Sequence, residues 1–542
     1  MIFNAENILL IGSILLFVSI VVSKTGYRFG IPTLLVFLLV GMLFGSDGLG
    51  LQFHDAGEAQ FIGMMALSII LFSGGMDTKY SDIKPVLPQG ILLSTFGVLL
   101  TTIFTGFFIY WISGFSNVSI TMSLMTAMLL AATMSSTDSA SVFNILRSQS
   151  MNLKHNLRPM LELESGSNDP MSYMLTVIFL GLIGKTIGSP LSIILMLFKQ
   201  IVFALIVAAL VSSLSYFILK KIKFAINGLD TIFVFATALL SYSLSAAFGG
   251  NGFLSAYIVG IVLGNCSIKN KVILVNFFDG ITGLMQMILF FLLGLLSTPQ
   301  NILPASSTAI PVVLFITFIA RPIAVASLLT PFKVGLKKQL LIMWAGLRGA
   351  ASIAFAIMVM GSNVEGIHYD IFHIVFFLAI ISILFQGTFL PLIARKLDLV
   401  DSNENVLKTF NDYVDDSDMQ LIQITIPQSH HWVGRQIKDI EFPENSIVVT
   451  IERGESTVIP NGNTTIEKGD IVILNAKRTK YYDMNLKEIT INNNHSWKDK
   501  ELKDLHLAKN NLVVMIKRDG GTIIPRGNTV IKQNDIVLLR EI

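Results

Sequence analysis

Charge is scarce in this 542-residue chain: Asp, Glu, Lys and Arg make up only 14% of it, against roughly a quarter in ordinary soluble domains. That shortage excludes the several soluble domains the length would otherwise accommodate. Cysteine is nearly absent as well. Cys266 stands alone, so no intrachain disulfide can form, and within an apolar stretch it reads as a small packing residue. The net charge of +3 gives no sign of a nucleic-acid partner. No G-x-G-x-x-G occurs in the C-terminal part, which argues against a dinucleotide-binding Rossmann unit there. No T-V-G-Y-G-like run offers the carbonyl filter of a cation channel.

What the chain has in excess is apolar surface, at 52% of residues, and the charges are unevenly placed. Of 75 charged residues (39 basic plus 36 acidic), 39 fall in the last 142 positions and 36 in the first 400. A large membrane domain therefore precedes a tail of ordinary composition. Thirteen apolar stretches approach the length that crosses a bilayer core: Ile8–Ser23, Ile31–Gly45, Gln60–Gly74, Gly90–Ile112, Thr121–Ile145, Pro159–Ile183, Ile201–Leu219, Leu229–Phe248, Gly252–Gly264, Phe277–Leu296, Ile310–Thr330, Leu340–Met360 and Ile371–Ile393. The first lacks a basic leading segment and is followed at once by the second, so it reads as a span and not as a cleaved signal. The loops after odd-numbered spans, with the segment after the last, carry seventeen Lys and Arg, against Lys185 and Lys199 for all the others. By the positive-inside rule the N-terminus lies outside and the tail in the cytoplasm.

An acidic linker, 399–418, separates the membrane domain, 1–398, from an internal repeat. Ile447–Leu474 and Leu512–Leu539 share fifteen of 28 residues at an offset of 65. Short β-rich runs broken at Pro460-Asn461-Gly462 and Pro525-Arg526-Gly527 predict two copies of a small α+β unit, 419–483 and 484–542.

Polar groups inside the spans mark the chemistry, because a charge at the bilayer centre costs roughly 2.5–3.5 kcal/mol even on permissive scales. The fifth span is interrupted by Thr133-Met134-Ser135-Ser136-Thr137-Asp138-Ser139-Ala140-Ser141. Either small polar residues pack helices there, or an unwound helix turns freed carbonyls and the Asp138 carboxylate toward water. The sixth span carries Glu164-Ser165-Gly166-Ser167-Asn168-Asp169-Pro170. Glu164 and Asn168 share a helix face and Asp169 points about 100° away; Pro170 frees a carbonyl in the preceding turn. A buried salt bridge is the plain alternative. Arg321 and Arg348 supply fixed positive charge in spans eleven and twelve, with Glu164 their natural partner. If spans 1–6 and 8–13 form two inverted repeats, the broken fifth span faces the twelfth.

Together these residues resemble the cation:proton antiporters of the NhaP type, and the tail resembles tandem RCK C-terminal (TrkA-C-like) subdomains. The resemblance is carried by Thr137-Asp138, by Glu164-Ser165-x-x-Asn168-Asp169 and by arginines 27 positions apart at 321 and 348. It implies a polytopic α-helical membrane protein of about 13 helices with broken helices and inverted repeats, in the inner membrane of a prokaryote. It implies Asp169 as the residue that holds proton or cation in turn, with Asp138, Thr137 and Ser165 as cation-ligand neighbours. Glu164, Asn168, Arg321 and Arg348 would form the supporting network. The monovalent cation would sit at Asp169 and Asp138. No enzymatic activity and no cofactor are expected, only transported K⁺ or Na⁺ and H⁺. Asn168 before Asp169 leaves one titrating acid where electrogenic relatives have two, which implies electroneutral one-for-one exchange unless Asp138 also titrates. K⁺ is favoured only through the tail; Na⁺/H⁺ exchange by the same fold and a ligand-gated cation channel are the alternatives. The expected partners are the bilayer and a second protomer, with a small cytoplasmic ligand such as a nucleotide, or pH through His430 and His431, acting on the tail.

Overall fold

The computed structural model describes residues 33–45, 56–114, 122–222 (except 150 and 155), 228–266, 271–362, 370–401, 419–442, 446–477 (except 455), 486–505 (except 494), 511–518 and 521–541, with isolated positions between them. The first of the thirteen apolar stretches and the linker from 402 to 418 lie outside the described residues. The chain divides into two compact units, Met1–Asn411 and Asp412–Ile542.

In the first unit every other apolar stretch is helical. The helices are α1 (Thr33–Phe44), α2 (Ala56–Asp77), α3 (Tyr80–Ser113), α4 (Leu124–Thr133), α5 (Ser139–Ser148), α6 (Leu157–Ile183) and α7 (Pro190–Lys221). They continue with α8 (Leu229–Ala247), α9 (Gly252–Asn265), α10 (Lys271–Leu296), α11 (Pro299–Phe315, extended to Leu329), α12 (Leu336–Trp344), α13 (Ala350–Gly361) and α14 (Ile371–Ile381, extended to Lys396). Among the described residues seven helices are long and apolar enough to cross a membrane alone. Several begin where a side chain can satisfy a free N–H. Ser123 caps α4 through Thr126 N–H, Ser189 caps α7 through Ser192 N–H, and Asn251 caps α9 through Leu254 N–H.

Two stretches that sequence places as single spans are broken. The fifth is α4 and α5, joined by non-helical residues from Met134 to Asp138; the twelfth is α12 and α13, joined from Ala345 to Gly349. Both breaks fall on runs of Ser, Thr, Gly and charge, poor helix formers whose side chains compete for backbone groups. Single π-helical turns also appear at Leu93–Gly97 in α3, Ile316–Ala320 in α11 and Ser382–Gly387 in α14. A short antiparallel pair, β1 (Asn152–Leu153) with β2 (Val400–Asp401), ties the segment before α6 to the one after α14, backed by an ion pair from Lys154 to Asp398.

The tail contains two four-stranded antiparallel sheets. The first has β3 (Met419–Thr425), β4 (Ser446–Arg453), β5 (Ser456–Val458) and β6 (Ile471–Lys477) in the order β3-β6-β4-β5. The second repeats that order as β7-β10-β8-β9, with β7 (Leu486–Thr490), β8 (Asn511–Arg518), β9 (Gly521–Ile523) and β10 (Ile536–Glu541). The bulge in each central pair leaves Val449 and Val514 as the extra residue, again 65 apart. Helix within the described residues of each copy is one 3₁₀ turn, Ile437–Asp439 or Leu502–Asp504, because the segments between strands are short and held by turn bonds. Arg453 donates to buried Asp470, and Arg518 to buried Asp535. His430 Nδ1 accepts the Trp432 N–H and His495 Nδ1 accepts the Trp497 N–H, so this histidine holds the same turn in both copies.

Candidate functional site

The two breaks meet. Asp138 N–H donates to the Leu347 carbonyl at 2.8 Å, and the Ser136 and Ser352 hydroxyls lie 3.3 Å apart. Breaking each helix frees carbonyls at one stub and N–H groups at the next, and each break supplies partners for the other. The approach is close. A Cβ at Gly349 would fall 2.7 Å from Asp138 Cγ, so only glycine fits where the second break passes the first.

Asp138 sits at the start of α5. Its carboxylate accepts from Ser141 N–H at 3.1 Å and from Ser141 Oγ–H at 2.7 Å, the bonding of a helix N-cap, where negative charge complements the helix dipole. Thr137 is held by α6 on two sides. Ser165 Oγ–H donates to its carbonyl at 2.7 Å, and Asn168 Nδ2–H donates to its hydroxyl at 2.6 Å. Ser172 Oγ–H donates to the Ala132 carbonyl. Successive inward positions of α6 therefore bind the first break along its length.

Asp169 belongs to the same helix. It is 7% exposed, and its Oδ1 has no hydrogen-bond partner among the described residues. Asp169 lines a cavity of about 30 Å³ with Ser136, Thr137, Asp138, Gln286 and Gly349, the apolar wall coming from Leu67, Ile70 and Phe290. That volume suits an ion or one or two waters. Three of the expected ligand positions, Asp169, Asp138 and Thr137, thus come together. Ser165 does not line the cavity; its hydroxyl is committed to the Thr137 carbonyl. Ser136 stands in that place.

The two arginines part company. Arg321 Nη1 pairs with Glu164 Oε1 at 2.5 Å, with the carboxylate 1% exposed, and its Nη2 reaches the Ile342 carbonyl at 3.2 Å. Arg321 follows directly on the π-turn of α11. Arg348 contradicts the expected carboxylate partner. Its Nη1 donates to the Ser135 and Ser136 carbonyls at 2.6 and 2.7 Å, and its backbone N–H to Ser382 Oγ at 3.0 Å. A fixed cation there offsets the carbonyls that the first break releases, as a charge does at a helix C-terminus.

Sequence reasoning passed over Gln286, Asn251 and Ser382. Asn251 Nδ2–H donates to the Pro170 carbonyl at 2.9 Å, tying α9 to the helix of Asp169. The available signal was a lone amide in an apolar span, which costs energy unless partnered.

Known proteins similar to this chain identify its family. A family model described as sodium/hydrogen exchanger, transmembrane, matches residues 12–396, and the TrkA-C domain matches 421–481 and 486–540. The chain is 34% identical over 480 residues to the K(+)/H(+) antiporter NhaP2 of Shewanella oneidensis, covering 86% of this chain and 81% of that one. It is 32% identical over 482 residues to the K(+)/H(+) antiporter NhaP of Alkalimonas amylolytica, covering 88% and 82%. It is 25% identical over 420 residues to the low-affinity Na(+)/H(+) antiporter NhaS1 of a Synechocystis strain, covering 73% and 76%. The solved sodium proton antiporter MjNhaP1 of Methanocaldococcus jannaschii superimposes with a TM-score of 0.62 at 22% identity, over 72% of this chain and 99% of that one; that likeness concerns the fold. A match over the whole membrane unit, joined to relatives above 30% identity along most of the chain, places this protein in the sodium/hydrogen exchanger family, with a tail of two TrkA-C domains.

Proposed function

We propose that this monovalent cation/proton antiporter exchanges K⁺ for H⁺ one for one, with Asp169 binding proton or cation in turn. The observation that carries the reading is the Asp169 carboxylate, one oxygen of which has no partner among the described residues, beside a small cavity where two broken helices cross. Burial disfavours a bare carboxylate and a bound cation favours it, so proton and cation compete for the same oxygens. Only a neutralised site then crosses the barrier. Asp138 and Thr137 complete the ligand set, the Thr137 hydroxyl and the carbonyls of the break supplying uncharged oxygens. Ser165, Asn168, Glu164, Arg321 and Arg348 hold these ligands in place. With Asn168 where a second acid would stand, one proton leaves per cation. The protein is a transporter and not an enzyme.

The domain division follows the same reading: 1–398 transports, 399–418 links, and 419–483 and 484–542 regulate. In the inner membrane of a prokaryote, the basic loops place the N-terminus outside and the tail in the cytoplasm. The tail answers a small cytoplasmic ligand such as a nucleotide, and two protomers form the working unit. Preference for K⁺ draws support from the names of relatives above 30% identity; Na⁺ is the second reading, favoured by the Synechocystis relative.

Everted membrane vesicles with a preset ΔpH distinguish the readings. K⁺, Na⁺ and Li⁺ are added in turn over a concentration series. Half-maximal dissipation at the lowest concentration with K⁺ agrees with the proposal, and a lower value for Na⁺ replaces it with the second reading. Absence of dissipation by any of the three would refute exchange itself.

A further inference from the structure

Outside the cation cavity, a buried histidine joins a helix that walls the cavity to one that supports it. His373 lies in the first turn of α14. Asp370, the N-cap of that helix, accepts the His373 backbone N–H at 3.1 Å through one oxygen and faces the ring Nδ1 with the other. The second ring nitrogen, Nε2, receives the backbone N–H of Thr298 at 2.9 Å and stands 3.1 Å from the Thr298 hydroxyl. Thr298 is the corner between α10 and α11. A backbone N–H only donates, so Nε2 is the accepting nitrogen, and the proton of the neutral ring sits on Nδ1, against Asp370.

Both partners reach the site. α10 gives the cavity Gln286 and Phe290, the latter about two turns before the corner. α14 gives Ser382, which accepts the Arg348 backbone N–H, while Arg348 holds the carbonyls of the first break. α10 packs on α1 and α2, and α14 on α11 and α13, so the bond from Thr298 to His373 is made where two sets of helices join. Few other charges face the pair. α4 and α13, and α11 before Arg321, pack against this part of α14 and contain no Asp, Glu, Lys, Arg or His. The charges of α10, Lys271 and Asp279, lie toward its opposite end. Exposed Lys185 follows Gly184, which neighbours Val364 before α14, and water screens it. Glu365 and His368 lie outside the described residues. Burial alone would push the Asp370 carboxyl up, but the His373 ring and N–H hold it below the ordinary carboxylate range. Asp370 therefore stays an anion while an imidazole titrates.

We propose that His373 is a proton-sensitive pin: neutral, it holds the α10–α11 corner on α14, and protonated, it keeps Asp370 and releases the corner. The proton enters at Nε2, the lone pair that Thr298 N–H occupies, so uptake removes that acceptor and turns two N–H groups toward each other. The bond from Nδ1 to Asp370 survives and becomes an ion pair. One bond is cut and the other spared, so the cap of α14 persists while its tie to the corner is lost. Acid on this face, which the basic loops place outside, thus loosens α10 against α14 and speeds exchange. The device does not depend on which residue exchanges the transported proton.

The test is amide hydrogen exchange of the full-length protein in detergent at about pH 5.5 and about pH 7.5, either side of the ordinary imidazole value, corrected for the intrinsic pH dependence of exchange. Protection of the Thr298 N–H in the wild type should fall about fivefold on acidification, the worth of one net hydrogen bond. His373→Gln, whose amide oxygen replaces Nε2 as an acceptor and takes up no proton, should stay protected at both values, and His373→Ala at neither. Asp370→Asn withdraws the charge that favours an imidazolium and should move the change to lower pH. A wild-type corner equally protected at both values, or a His373→Ala corner as protected as the wild type at neutral pH, would overturn the pin. Right-side-out vesicles held at constant internal pH supply the second readout. Exchange of K⁺ for H⁺ should respond less to external pH in both His373 variants than in the wild type, with His373→Ala the faster of the two at neutral pH. An identical response in all three would refute the effect on transport.

Discussion

At the scale of single residues, the site is a division of labour between groups that bind and groups that hold. Asp169, Asp138 and Thr137 line the cavity, while Ser165, Asn168 and Arg348 spend their donors on the backbone and side chains that carry those ligands. Arg321 and Glu164 form a buried pair. Removing one member of such a pair costs about 3–5 kcal/mol because a charge is stranded. Arg321→Ala should therefore lower thermal stability and yield sharply, and adding Glu164→Gln should recover part of the loss; a double variant no better than the single would show that Arg321 serves another group. Gly349 has no room for a side chain against Asp138. Gly349→Ala should abolish exchange while the protein still inserts, checked by vesicle ΔpH and by melting in detergent. Undiminished transport would mean that the crossing relaxes at little cost.

At the scale of elements, much was legible in the sequence and some was not. The polar run from Thr133 to Ser141 announced a broken helix because seven polar residues in nine cannot face lipid. The partner of Arg321 was legible too, since Glu164 is a buried carboxylate needing a cation. The partner of Arg348 was not, because freed carbonyls leave no mark in a sequence and opposite charge is the obvious guess. The π-turns left no mark in the sequence, and for Gln286 and Asn251 a lone amide in an apolar span signals that a partner is needed without saying which. Arg348→Ala should cost about 1.5–3 kcal/mol for each charge-assisted bond lost to Ser135 and Ser136, read as a fall in melting temperature. Arg348→Lys should restore part of it; equal losses in both would point to packing and not to charge.

In the tail the repeated elements carry a pH dependence of their own. Burial alone would push the Asp470 carboxyl up, but hydrogen bonds from Arg453 and the Glu467 N–H hold it below the ordinary carboxylate range. Asp535 is held down in the same way by Arg518 and the Lys532 N–H. A carboxyl depressed in the folded state contributes stability above its unfolded value of about 3.9 and loses it as pH falls through the folded value. Tail stability should thus be level in pH near neutrality and drop below about pH 4. Asp470→Asn and Asp535→Asn should each flatten that drop, seen as tail-specific loss of hydrogen-exchange protection. His430 is pushed down by burial and by the neighbouring His431, so it loses its proton below the ordinary imidazole range. That and its turn-holding bond leave little for it to report near neutral pH.

For the whole molecule, every ionisable group assigned to exchange lies in the first compact unit, while the second is built of two small sheets with cores of their own. Truncation after Lys396 should leave cation/proton exchange with altered pH or cation dependence; complete loss in a protein that still inserts would make the tail obligatory. The central claim concerns one carboxylate. Adding K⁺ to the purified protein in weakly buffered detergent should release about one proton per protomer, the linkage expected when cation and proton share a site, and Asp169→Asn should release none. Undiminished release from Asp169→Asn would place the exchanging group elsewhere.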